Sequence, residues 1–327
     1  MISIVGKLFR IPTVEVRFAR RGFEPCREEL QARLERVGEE FLNGYHAAIG
    51  TDDPRELASR LEFVDPSFRG FAYEGSAMAW ALLDHLFPWT RGRFHRFLAG
   101  PGAAHVYMAH VGAGWALARL PWLRRNVEHA CRDLDPLLRW LVVDGYGFHE
   151  GYFHWPRVVT RQIVPAGLHG YARRAFDQGL GRVLWFIGGA DAGRIPALVA
   201  TFPVERHSDL YAGLGLACAY AGVMAEAELR SLWTAAGTNQ PAFAQGVAFA
   251  AKARQRAGNP EPYTELACRV VWQLDANEAA AVTDRALDDL GPNGAEPAYE
   301  VWRRRVQQEF TRKTKTGPFQ EVQHERS

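Results

Sequence analysis

Glycine recurs through the middle of this chain with a period that few folds can hold. Gly112, Gly145, Gly179, Gly213 and Gly246 are separated by 33, 34, 34 and 33 residues. In four of these copies a second glycine follows two places on, at Gly114, Gly147, Gly181 and Gly215. An earlier copy, FAYEGSAMAWALLD, sets Gly75 37 residues ahead of Gly112, with PWTRGRF holding the extra residues. The flanks repeat too: AFDQGLGR at 175–182 and AFAQGVAF at 242–249 are one motif. A period near 34 residues is that of helical-hairpin repeats of the tetratricopeptide type. Glycine inside a helix costs about 1 kcal/mol relative to alanine, so keeping it at one register position points to a neighbouring helix that comes very close.

Prolines punctuate the pattern. Pro136, Pro196 and Pro241 stand where first helical turns would begin, and Pro121, Pro156 and Pro203 lie between apolar runs. Short helices such as AGRIPALVATF and AEAELRSLWTAA alternate with longer ones such as SDLYAGLGLACAYAG. Ahead of the repeats, Leu30, Leu34, Val37, Phe41 and Tyr45 recur at three- and four-residue steps, as an amphipathic helix requires. The expected fold is all-α: a tetratricopeptide-like solenoid of helical hairpins over residues 25–302. An N-terminal arm, 1–24, precedes it, and a polar, flexible tail, 303–327, follows. Residues 2–9, with the basic run Arg17, Arg20 and Arg21 behind them, read either as a segment that touches a membrane or partner or as an arm folded onto the body.

Composition narrows the function classes. A hydrophobic share of 47% with 23% charged residues suits a soluble globular protein. A net charge of +2 gives no general attraction to nucleic acid or anionic membrane. Cys26, Cys131, Cys218 and Cys268 lie far apart with no CxxC pair, against a zinc knuckle or a disulfide framework. The start, MISIVGKLFRIPTVEVRFARRGF, lacks the features of a secretory signal. No apolar run approaches the ~20 residues that span a bilayer. A cytoplasmic protein is expected.

The residue before each repeat glycine is Glu74, Val111, Asp144, Gln178, Ala212 and Gln245, polar in four of six copies. Side chains in one register column face one side of the array, so these polar groups form either a ladder of inter-repeat hydrogen bonds or a ligand groove. The central copy, DGYGFHEGYFH at 144–154, is the richest. Glu150 and His154 are four apart and share a helical face, so the carboxylate could orient the imidazole. His149 points about 100° away. His-Glu-x-x-x-His is not the zincin spacing, and a metal would need further ligands from other repeats, such as His110 or Asp177. Arg182 could meet an anion or pair with Glu150. The aromatics Tyr146, Phe148, Tyr152, Phe153, Trp155 and Trp185 make either core or a wall for a long conjugated ligand. The candidate catalytic residues are therefore His149, Glu150 and His154. Candidate ligand-binding residues are Glu74, His110, Asp144, Tyr146, Tyr152, Asp177, Gln178, Arg182, Trp185 and Gln245. A pocket is expected near Asp144, His149, Glu150, His154, Gln178 and Arg182. There is no phosphate loop, no dinucleotide fingerprint and no nucleophile elbow, and neither metal nor cofactor is expected.

ARRGF at 19–23, GFAYEG at 70–75, HVGAGWALARL at 110–120, DGYGFHEGYFH at 144–154, FDQGLGRVLWF at 176–186 and AQGVAFAAKAR at 244–254 together resemble a bacterial family of unknown function. Its members are known as enediyne biosynthesis proteins and are encoded beside the iterative enediyne polyketide synthase. The resemblance covers roughly residues 15–290. It implies a role in turning that synthase's linear polyene into the enediyne core, and it carries over no catalytic residue. The implied partners are a hydrophobic polyene and other proteins of the pathway, a membrane protein among them. Two functions follow: an enzyme or enzyme subunit acting on a polyene or polyyne intermediate, or a non-catalytic scaffold that binds pathway proteins along its concave face. Clustered ionisable groups favour the first, and the missing cofactor motifs favour the second.

Overall fold

The computed structural model describes residues 9–90, 92–222, 224–292 and 294–316, and these contain helices and no strand. The long helices are α1 (Glu28–Ile49), α3 (Pro66–Leu86), α5 (Val106–Arg119), α6 (Arg139–Trp155), α7 (Tyr171–Ile187), α9 (Val204–Ala221) and α11 (Gln240–Ala257). Shorter ones fall between and after them: α2 (Pro54–Leu61), α4 (Arg93–Leu98), α8 (Arg194–Ala200), α10 (Glu226–Ala235), α12 (Pro262–Trp272) and α13 (Ala276–Arg285). The last helix is α14 (Ala298–Thr316). Starts are set by local chemistry: Asp53 and Asp65 cap α2 and α3 ahead of a proline in the first turn, and Asp275 with Glu278 forms a capping box on α13.

The seven long helices stand side by side in chain order, each packed on the next. The repeat glycines are the reason. A Cβ on Gly112 would sit 2.1 Å from the Glu74 carbonyl oxygen, one on Gly145 2.1 Å from that of Val111, and one on Gly179 1.9 Å from that of Asp144. Gly213 and Gly246 meet the carbonyls of Gln178 and Ala212 in the same way. The second glycine of each pair faces the other neighbour, Gly147 against Phe176 and Gly181 against Leu210. Each helix is thus clasped by backbone on both sides, and the middle ones are buried nearly all round, as a run such as Phe71–Leu83 shows. The short helices pack on their flanking long helices and on one another as a second layer.

This row does not extend as an open array; it curls until its ends touch. Arg33 on α1 donates to the Ala221 carbonyl and to Glu261 (3.3 and 3.1 Å), and Asn259 donates to the Pro66 carbonyl (3.1 Å). Phe71 on α3 meets the Tyr220 ring on α9 edge-on at 5.2 Å. The curl turns one face of the long helices inward.

Both chain ends differ from a loose arm and tail. From Phe9 onward the N-terminal arm is folded onto the body: Tyr45 donates to the Phe9 carbonyl (3.0 Å), Trp155 to that of Arg21 (2.9 Å), and Val16, Phe18 and Phe23 are buried. Residues 1–8, which carry most of the segment considered for membrane or partner contact, lie outside the described residues. The helix α14 runs through the boundary expected at 303. Tyr299, Trp302, Arg303, Val306 and Phe310 are all buried, so residues 303–316 belong to the folded body. Residues 317–327 lie outside the described residues.

Candidate functional site

The contact of Gly179 with the Asp144 carbonyl brings α6 and α7 backbone to backbone, and their polar column residues therefore meet. Arg182 Nη1 donates to Asp144 Oδ1 at 2.6 Å, and Gln178 Nε2 donates to Asp144 Oδ2 at 2.7 Å. Gln178 also donates to the Tyr299 hydroxyl at 3.1 Å, tying α14 to the same group. The Arg182 guanidinium lies 5.0 Å from the centre of the Phe148 ring. Burial acts against the charge of Arg182, but Asp144 and then Glu74 outweigh it, so its pKa is raised and it stays cationic.

Glu74 completes the set from α3. It is 3% exposed and takes no conventional hydrogen bond from a charged group. Burial raises its pKa to about 7; Arg182 opposes that rise, Asp144 adds to it, and the Trp115 indole pulls weakly the other way. Glu74 lies, with Arg182, at the wall of a cavity.

The cavity above it is an apolar slot. Phe41, Phe71, Met78, Trp115, Phe148, Tyr152, Phe186 and Tyr220 stand in its wall, and Glu74 and Arg182 are polar residues among them. The space between these side chains totals ≈ 770 Å³ counting the open mouth, yet the centre of a water molecule fits in only ≈ 50 Å³ of it. Ile11, Glu15 and Val16 of the N-terminal arm stand at one end with Arg119 and Phe153.

The residues expected from sequence divide into groups. Glu74, Asp144, Gln178 and Arg182 come together, and Tyr152 lines the slot with its hydroxyl on the Val16 carbonyl at 3.3 Å. The expected pairing of Glu150 with His154 does not form. His154 leaves helical geometry (φ −131°, ψ 28°) two residues before Pro156 and is exposed. Glu150 instead faces its sequence neighbour: His149 Nδ1 lies 3.4 Å from Glu150 Oε1, without a hydrogen bond at either imidazole nitrogen. Burial lowers the His149 pKa and holds that ring neutral. Glu150 and Tyr146 open onto a different surface, an outer groove edged by Arg124, Arg125 and Arg157. The α6 helix thus separates the two halves of the set.

Other candidates serve the frame. Asp177 accepts from Arg206 Nε at 2.8 Å, Gln245 accepts from Arg303 Nε at 3.1 Å, and Trp185 is fully buried core. His110 Nδ1 sits 2.8 Å from the Val106 carbonyl oxygen, against Phe94. Among the described residues no three His, Cys, Asp or Glu side chains are grouped to hold a metal. Sequence reasoning missed Phe41, Phe71, Met78, Trp115 and Tyr220 as slot residues. In helices buried all round, an apolar residue facing a cavity has the same pattern as one facing core.

A family model described as protein of unknown function (DUF1702) matches residues 2–310. Neither a curated protein nor a solved structure matches the chain.

Proposed function

We propose, for a chain that belongs to the DUF1702 family of proteins of unknown function, that it binds a long, linear, unsaturated hydrocarbon chain in its interior slot and moves a proton on it through Glu74. The observation that carries this reading is a buried acid, its pKa pushed up to about 7, set among the apolar walls of the slot beside a fixed arginine. A pKa near the working pH is what a general acid–base group needs, because both forms are then populated. Arg182, held by Asp144, which Gln178 fixes in turn, supplies positive charge where an oxygen of the ligand would gather negative charge.

The apolar, aromatic lining of the slot agrees with the resemblance noted above, which implies a polyene of enediyne polyketide biosynthesis as ligand. The paired helices, read as tetratricopeptide-like hairpins, serve in this view as a curled wall around the slot. Converting double bonds to triple bonds removes hydrogen and needs an oxidant; no step of that kind is assigned to these residues. A scaffold would need a free face along the polar column, and that face is covered by Tyr299, Trp302 and Arg303 of α14.

The test is to incubate the purified protein with the linear polyene, alone and with its pathway neighbours, and to follow products by mass spectrometry. Glu74→Gln should retain binding and lower turnover by about 10²–10⁴-fold, as loss of a general acid or base does. Undiminished product from that variant would end the assignment of Glu74, and the same outcome with His154→Gln is expected.

A further inference from the structure

The interior does not stop at Arg182. Beyond it lies a second apolar chamber, walled by Tyr107, Met108, Val111, Leu141, Phe249 and Trp302, with ≈ 490 Å³ between its side chains and about 30 Å³ open to a water centre. Arg182, Leu216 and Tyr220 line this chamber and the slot alike. Glu74 belongs to the slot side and Asp144 to the far side, so the polar pair is a bar across the middle of one apolar tract.

Two features of that partition mark it as a ligand path. Leu216 is the one residue from 209 to 222 that is not buried, although it sits mid-helix in the interior. It lines both chambers. Tyr220, 2% exposed, is a fixed part of the wall: its hydroxyl oxygen occupies the space of a missing Cβ on Gly70, and the Arg254 guanidinium lies 4.0 Å from its ring centre. Arg182 uses only Nη1 for Asp144. Arg182, with donors beyond Nη1, therefore stands at the junction of two apolar chambers.

We propose that the chambers form one passage for an unbranched, unsaturated chain longer than either, threaded past Leu216 with an oxygen function held by Arg182. This rests on the interior-ligand reading above and adds to it the length, linearity and mid-chain oxygen of the ligand. The aromatic walls of both chambers suit a conjugated chain.

A conjugated tetraene fatty acid, whose fluorescence rises in a dry site, serves as reporter, displaced by a series of linear carboxylic acids of increasing length. With the wild-type chain, affinity should keep rising, by up to about fourfold per added methylene, beyond the length that fills the slot. Ala253→Phe fills only the far chamber and should weaken the longest acids at least tenfold while sparing the shortest, whose unchanged affinity also reports a folded protein. Arg182→Gln should weaken chains bearing an internal ketone more than plain chains of the same length. If affinity levels off at the length of the slot and Ala253→Phe leaves long chains unaffected, the passage is disproved while the slot stands. If no chain displaces the reporter, or the reporter never binds, both readings fall.

Discussion

Glu74 sits where a carboxylate is hardest to keep charged, and that placement fixes a measurable pH dependence. Its carboxyl titrates at about 7 in the folded chain against an ordinary value of 4.5. Between those values the unfolded chain has released the proton and the native one still holds it, so stability falls as pH rises through that window and levels above about 7. The gap corresponds to roughly 3 kcal/mol. Glu74→Gln, which stays neutral, should therefore be more stable than the parent above pH 7 and converge with it below pH 4.5. The difference between the two urea unfolding curves, measured from pH 4 to 8, isolates this residue from carboxylates whose pKa values are lowered, such as Glu35 beside Arg17. A constant difference across that range would show that Glu74 is already ionised. A functional acid that destabilises its own fold is a common compromise at active sites.

At the scale of the helix, the glycine register does two jobs, and a single methyl group tests both. Gly179→Ala places a Cβ 1.9 Å from the Asp144 carbonyl oxygen, and backbone cannot rotate away as a flexible side chain would. The gain in helix propensity, about 1 kcal/mol, is outweighed if α6 and α7 must separate, for which overpacking costs of about 1–3 kcal/mol are usual. Net destabilisation is expected, together with a weaker Arg182–Asp144 pair and so a shifted Glu74 titration. Gly193→Ala is the control: its φ is −89° and the nearest atom to a Cβ is the Asp191 carboxylate oxygen at 3.5 Å, so it should be near neutral. Equal stability of the two variants would remove the close-contact account. This register is also what made the site partly legible in the sequence. Column residues before the glycines inherit the helix contacts, which is why Glu74, Asp144 and Gln178 converge. The Glu150–His154 spacing promised a pair by helical geometry alone, and Pro156 broke that geometry one turn too early. The slot's aromatics were illegible because a helix buried all round gives no periodic signal.

For the molecule as a whole, the question is what holds a curled row of helices shut, and α14 is the element that sequence reasoning placed wrongly. RRRVQQEFTRK reads as a solvated tail because its apolar residues are few. Tyr299, Trp302, Val306 and Phe310 nevertheless fall at three- and four-residue steps, one narrow stripe, and Arg303 within it is fully buried. Its charge is answered by Asp209 at 2.8 Å and Glu300 at 3.1 Å, with the Gln245 and Tyr171 side-chain oxygens at 3.1 and 3.2 Å. Arg174, from α7, binds the same two carboxylates (2.9 Å each), so two cations and two anions neutralise one another at the meeting of α7, α9, α11 and α14. Phe310 meanwhile packs edge-on against Trp233 and Trp272, reaching α10 and α12. Removing one member of a buried ionic group strands the others, at about 3–5 kcal/mol. Arg303→Met, which keeps most of the stem's packing, should lose about that much in denaturant unfolding, and pairing it with Asp209→Asn should recover part of the loss. Ending the chain at residue 302 also removes Val306 and Phe310, and it should cost more than Arg303→Met alone and open the far chamber to solvent. A chain ending at 302 that unfolds at the parent's denaturant midpoint would return these residues to the status of a tail.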